Sequence, residues 1–229
     1  MPHFKSTYHS KIYRDFRGIG DSEYRAVIRF YEEKETDIKH LEFEEYFELL
    51  VAYTNALFEI GSYQKHLLMV DHVIESSIQQ NIKTYKGEDI FYNMLFKKAA
   101  SLFNNLDYNK ADYILRELIK INPEDNYTAM FLKKCLRKKH PAFVRNSRAA
   151  GIFLFLLTAL IICIEVLFVR PFYGMHANLI ETSRLTIFFM GFAMLIGGEF
   201  YHRWLVEKEV NAYMAEIRNQ KKQKNTSSV

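Results

Sequence analysis

Glu199 and His202 stand three residues apart, the spacing that puts a carboxylate and an imidazole on one helix face, as helical bundles that bind paired iron ions require. Such a centre needs further carboxylates at the same depth. Glu165 is the other acidic residue within an apolar run, and in an antiparallel arrangement it falls near the opposite end, much of a bilayer away. The plainer expectation is that Glu199 pairs with Arg203 one turn on and that His202 faces a membrane interface. Glu165 raises the question of proton or ion handling, because ionisable groups in membrane segments are costly to keep. Its place four residues before Val169 favours snorkelling, or pairing with Arg170 or Arg184.

The remaining reactive side chains are more ordinary. His66 and His72 are six apart and do not share a helix face, so they make no metal pair. Cys135 follows Lys133 and Lys134 but has no positioned base in view. Gly18-Ile19-Gly20 lacks the third glycine and the preceding strand of a phosphate loop. Ala193 and Gly197 have the small-x-x-x-small spacing that lets helices approach closely, which predicts packing within a helix pair before oligomerisation. No nucleophile and base are paired along the chain. The expectation is therefore no enzyme activity, no metal and no cofactor.

Composition sets the elements that must carry these residues. The chain has 229 residues with only 9 Gly and 4 Pro, which excludes collagen-like and low-complexity classes. Its 31 Lys and Arg against 27 Asp and Glu leave a net +4, too little to make nucleic acid the default partner. Two cysteines, one on a Lys/Arg-rich stretch and one in an apolar run, make no disulfide framework and point to a reducing compartment. Residues 1–20 carry polar or charged side chains throughout, so no cleavable signal and a cytoplasmic N-terminus are expected.

Ala149 to Val169 is 21 residues with one charge, close to the roughly 20 apolar residues that a hydrocarbon core of about 30 Å demands. Leu185 to Gly198 is shorter, and Phe200, Tyr201, Trp204, Leu205 and Val206 extend it as an aromatic interface belt to a span of 185–206. Lys133, Lys134, Arg137, Lys138, Lys139, Arg145 and Arg148 precede the first span, and Arg203, Lys208, Arg218, Lys221, Lys222 and Lys224 follow the second. The loop 170–184 carries only its two terminal arginines as cations. The positive-inside rule then puts both termini in the cytoplasm. The seven cations before the first span are expected to contact anionic lipid headgroups rather than nucleic acid.

Upstream, the chain predicts consecutive amphipathic helices over 21–35, 41–60, 63–80, 88–105, 108–121 and 123–139. Gly61, Gly87, Leu106-Asp107 and Asn122-Pro123 mark the breaks, with Asp107 as an N-cap, Gly61 just past a helix end and Pro123 in a first turn. Leu95, Ala99, Leu102, Tyr108, Ala111, Leu115, Leu118 and Pro123 form a pattern that resembles a tetratricopeptide repeat. An upstream stretch, Leu50, Thr54, Leu57, Gly61-Ser62-Tyr63, Val70 and Val73, resembles it more loosely. His66 stands there in place of the small residue, Tyr63 and Tyr108 are 45 apart where the family has about 34, and Lys98 occupies a normally apolar position. The resemblance covers about residues 43–140 and implies a helical-hairpin scaffold.

The expected fold is therefore all-α: a tetratricopeptide-like helical-hairpin solenoid (21–140) after an N-terminal extension (1–20), then a basic linker (141–148), a two-helix transmembrane hairpin (149–206) and a basic tail (207–229). The expected function is a membrane-anchored scaffold that binds a partner protein or peptide, integral to a membrane (the plasma or inner membrane in a bacterium). The alternative is an oligomeric membrane effector or channel component built on the hairpin, and among partners a second copy of the chain, as a homo-oligomer, stays open.

Overall fold

The computed structural model describes residues 9–20, 22–139, 141–169, 171 and 177–227. It is mostly helical, in the order α1 Lys11–Arg17, α2 Tyr24–Glu33, α3 Glu35–Ile38, α4 Phe43–Glu59, α5 Tyr63–Gln79, α6 Ile90–Asn104, α7 Tyr108–Ile121, α8 Asn126–Lys138 and α9 Ala142–Ile164. A π-helical turn, Glu165–Val169, extends α9, and α10 runs unbroken over Ala177–Ser227. A two-residue ladder, β1 Thr84–Tyr85 with β2 Glu88–Asp89, separates α5 from α6. The chain divides into two compact units, 1–128 and 129–229, and α8 straddles the division.

In the first unit the amphipathic patterns set the packing. The stretch expected as one helix over 21–35 breaks after Glu33, which lets Ile38 on α3 become fully buried beside Tyr31. The Tyr31 ring stacks on Tyr53 of α4 at 4.1 Å. Leu49, Leu50, Leu57, Val70, Val73 and Met94 fill the space where α4, α5 and α6 pack in succession. Glu48 ties α1 to α4, accepting from the Tyr13 hydroxyl at 2.5 Å and from Arg17 Nη1 at 2.9 Å.

Three helices end in the same way. At the ends of α4, α5 and α6 the residues Gly61, Asn81 and Leu106 take positive φ values of 78°, 52° and 64°. In each case the next N–H reaches back to the carbonyl of the third residue from the helix end: Ser62 to Leu57, Ile82 to Ser77 and Asp107 to Leu102. This double-bonded cap needs a left-handed residue, which glycine and asparagine supply at little cost and leucine does not. Leu106 is also 70% exposed, so burial does not offset its strain. Leu106→Gly is expected to raise the unfolding free energy by up to about 1 kcal/mol, read as a higher urea midpoint at unchanged slope.

The turns after α4 and α6 also share their ring packing. Phe58 meets Tyr63 at 6.0 Å and Phe103 meets Tyr108 at 5.4 Å, both edge-on, and the two pairs lie 45 residues apart in sequence. Of the eight positions singled out from the sequence, Ala99, Leu102, Ala111, Leu115, Leu118 and Pro123 are buried, and Leu95 and Tyr108 are half-buried. Asp107 caps α7 as expected, accepting from Lys110 N–H. Pro123 does not open a helix: α8 starts at Asn126, behind Asp125, whose Oδ1 accepts from Tyr127 N–H at 2.9 Å.

In the second unit the linker 141–148 is not a separate element, because α9 already begins at Ala142. Likewise 177–184 and 207–227 belong to α10 rather than to a loop and a tail. Arg170, residues 172–176 of the expected loop, the Asp21 start of the first helix, His140, residues 1–8 and the last two residues of the tail lie outside the described residues. The apolar stretches of α9 and α10 are long and apolar enough to cross a membrane.

Candidate functional site

The first unit carries a cleft of 510 Å³ between α1, α2, α4 and the β1–β2 turn. Phe16, Tyr24 and Tyr85 form its aromatic walls, Ala52 and Ala56 leave room on α4, and Arg17 and Lys86 bring cations to it. Asn55 also lines it and accepts at Oδ1 from Lys97 Nζ of α6 at 2.7 Å. Lys97 lies 5.5 Å from the Phe58 ring, and burial pushes its pKa below the ordinary lysine value.

His66 of α5 is completely buried, its ring 5.3 Å from that of Phe58. Its Nδ1 lies 2.8 Å from Ser101 Oγ, and its Nε2 has no hydrogen-bond partner. Burial, reinforced by the nearby Lys97 charge and opposed by Asp71, pushes the imidazole down to about 4. It is neutral at physiological pH, with no opening to a substrate, so the Ser101–His66 contact is a packed polar node and not a nucleophile with its base. A second node joins α6 to the start of α8. Tyr92 donates to Asp125 Oδ2 at 2.7 Å, and Thr128 Oγ1 donates to the same oxygen at 2.6 Å. Burial pushes the Tyr92 hydroxyl up to about 12; burial would raise Asp125 too, but the donated bonds outweigh it and hold that carboxyl low.

In the second unit one face of α9 faces α10. Val144, Gly151, Thr158 and Glu165 are buried, seven residues apart, which is the period of a supercoiled helix pair. A Cβ on Gly151 would lie 2.6 Å from Leu195 Cγ, and one on Gly191 would lie 3.1 Å from Leu154 Cβ and 3.4 Å from the Gly151 carbonyl. Ser147 donates to the Met194 carbonyl at 2.7 Å and packs against Gly198. The expected contact pair Ala193 and Gly197 is not in this seam: Ala193 is exposed, and nothing lies within 4 Å of where a Gly197 Cβ would be.

Charges bracket the seam. Glu165 is fully buried and accepts from Arg184 Nη1 at 2.8 Å, one of the two partners expected for it. Glu199 pairs with Arg148 of α9, not with Arg203 one turn on. His202 is buried with its ring 6.0 Å from Phe143 rather than turned outward. Glu199 and His202 therefore join different neighbours, and no group of three or more His, Cys, Asp or Glu side chains lies together among the described residues.

The seven cations ahead of the apolar stretch of α9 are not equivalent. Arg137 is engaged by Glu207 at 2.8 Å and Arg148 by Glu199, whereas Lys138 and Arg145 are exposed and Lys134 lies 5.9 Å from the Phe131 ring. Sequence reasoning named Arg184 as a partner for Glu165 but missed the Arg148–Glu199 pair at the other end. The signal was present, since each apolar run has Arg at its N-terminal edge and Glu toward its C-terminal edge, which is complementary only when the helices run antiparallel. Comparison of the chain with protein-family models, with curated proteins and with solved structures finds no match.

Proposed function

We propose that this protein is a membrane-anchored interaction scaffold. On this reading α9 and α10 form a transmembrane hairpin with both termini cytoplasmic, and the helices before them form a tetratricopeptide-like domain that holds a segment of a partner protein beside the membrane. The observation that carries it is the outward face of the helix pair. Only 17% and 6% of the apolar windows of the two helices are buried, so they are not core helices of a soluble fold and need another apolar medium. Phe143, Tyr201 and Trp204, exposed next to Arg145 and Lys208, supply the aromatic and cationic belt of a cytoplasmic interface. Each exposed cation near an anionic leaflet adds about 1 kcal/mol of attraction. The repeated caps and ring contacts 45 residues apart support the repeat-like reading of α4–α7, and the cleft against α4 offers an aromatic, cation-edged seat for a peptide.

The test is site-directed photo-crosslinking in membranes. A photoreactive phenylalanine at Tyr24, in the cleft wall, is expected to give a discrete adduct with a second protein, whereas the same probe at Tyr113, exposed on α7, is not. Adducts from Tyr113 alone, or from neither site, would contradict the scaffold reading.

A further inference from the structure

The two interhelical ion pairs stand near the two ends of the apolar band, and the distance between them is set by the helices that carry them. Between Arg148 and Glu165, α9 has 16 residues without a charge, and between Arg184 and Glu199, α10 has 14. At 1.5 Å per residue these stretches rise about 24 and about 21 Å, less than the roughly 30 Å of an ordinary hydrocarbon layer, and any tilt shortens them further. On α10 a further charge lies outside the Glu165–Arg184 pair, exposed Glu181 at 3.9 Å from Arg184 Nη2. Past Glu199 the exposed rings of Phe200, Tyr201 and Trp204 flank exposed Arg203, the mixture of aromatic and cationic side chains that suits the headgroup level. On α9 the apolar side chains continue one turn past Glu165, through exposed Val166, Leu167 and Phe168, so the outer edge is fixed by α10.

From this geometry, and resting on the transmembrane reading above, we propose that Arg148–Glu199 and Glu165–Arg184 mark the two edges of the membrane-embedded band. The helix pair is then matched to a thin hydrocarbon layer, of about 21–24 Å, and thins a thicker one around itself. The pairing explains how four charges can sit at those edges: each carboxylate meets a guanidinium of the other helix, and Glu165, fully buried, is shielded from lipid altogether. It also fixes orientation, because a parallel arrangement of the same helices would set arginine against arginine and glutamate against glutamate. Exposed Phe153 and Phe189 lie between the two pairs, where acyl chains would cover them.

The test uses the full chain reconstituted into phosphatidylcholine vesicles whose monounsaturated acyl chains lengthen stepwise, from layers thinner than about 25 Å to layers thicker than about 30 Å. Two quantities are read: the fraction that floats with vesicles after an alkaline wash, and the bilayer thickness by small-angle X-ray scattering with and without protein. Retention is expected to peak in the thin lipids, with measurable thinning of the thick ones. Replacing Glu165→Leu and Arg184→Leu together is expected to move the peak several ångströms toward thicker lipid. A wild-type peak at or above about 30 Å with no thinning would overturn the proposal while leaving the anchor in place. A double variant that inserts with the wild-type optimum would also overturn it, and if that variant fails to fold the wild-type series still decides. Failure of the wild-type chain to float in any lipid would overturn the transmembrane reading itself.

Discussion

Gly151→Leu will pull α9 away from α10, and Gly197→Leu will not. A Cβ at Gly151 already meets Leu195 Cγ at 2.6 Å and the Gly191 carbonyl at 3.2 Å, so a leucine there has to displace both a packed side chain and the opposite backbone. Overpacking of this kind costs about 1–3 kcal/mol in a close-packed seam, and here it also strains the Ser147–Met194 hydrogen bond one turn away, whose length of 2.7 Å depends on the same helix separation. Gly197 has nothing within 4 Å of its would-be Cβ, and leucine is the better helix former by close to 1 kcal/mol, so that variant is expected to be neutral or slightly stabilising. Denaturation of the two variants in detergent, followed through the single tryptophan, Trp204 of α10, measures the difference. Equal midpoints would mean that the seam does not run through Gly151.

Acidification gives the second large effect, through His66. In the unfolded chain its imidazole titrates near 6.5, whereas in the folded protein it is held down to about 4, chiefly by burial, with Lys97 adding to the shift and Asp71 opposing it. The unfolded state therefore binds the proton first, and the contribution of neutral His66 to stability is complete above about pH 6.5 and is lost as the pH falls toward 4. Converted at 1.36 kcal/mol per unit, the loss is about 2 kcal/mol by pH 5 and about 3 kcal/mol by pH 4. Carboxylates held low by their partners, such as Asp125 and Glu32, lose their contributions below that window, in the same direction. His66→Gln, which keeps a polar group near Ser101, is expected to flatten the dependence between pH 7 and 5. Urea midpoints of the helical domain, read by pulse proteolysis of the detergent-solubilised chain, compare the two. A wild-type midpoint unchanged over that range would show that His66 is not buried neutral.

What was legible in the sequence followed from local signals. α7 begins behind Asp107 and ends before Asn122 as read, because a side-chain cap and the amphipathic period of one helix decide both. Gly61 marks its turn because only a left-handed residue closes that cap. Leu106 was legible as a break only through the capping Asp107 beside it; its left-handed conformation shows only in the backbone. The β1–β2 ladder, two residues long on each side, is too short for any alternation to appear, although Lys86 and Gly87, both at positive φ, are a turn pair. The break after Glu33 was hidden because α2 and α3 keep one helical period across it; what decides it is burial of Ile38, a tertiary effect. The seam of the apolar pair depends on register, so the sequence offered several small residues and no means of choosing among Ala193, Gly197, Gly191 and Gly198 without first pairing the charges at each end.

The central claim, that the chain threads a membrane twice with its helical domain and the C-terminal end of α10 on one side, is tested most directly by cysteine accessibility in intact cells. In a background with Cys135→Ser and Cys163→Ser, single cysteines at Thr182, near the start of α10, and at Ser227, at its end, are treated with a membrane-impermeant maleimide before and after lysis. Because basic residues crowd 133–148 and 203–224 and not the stretch between the spans, position 182 is expected to label in intact cells and position 227 only after lysis. Labelling of position 227 from outside, or of neither position before lysis, would contradict the account.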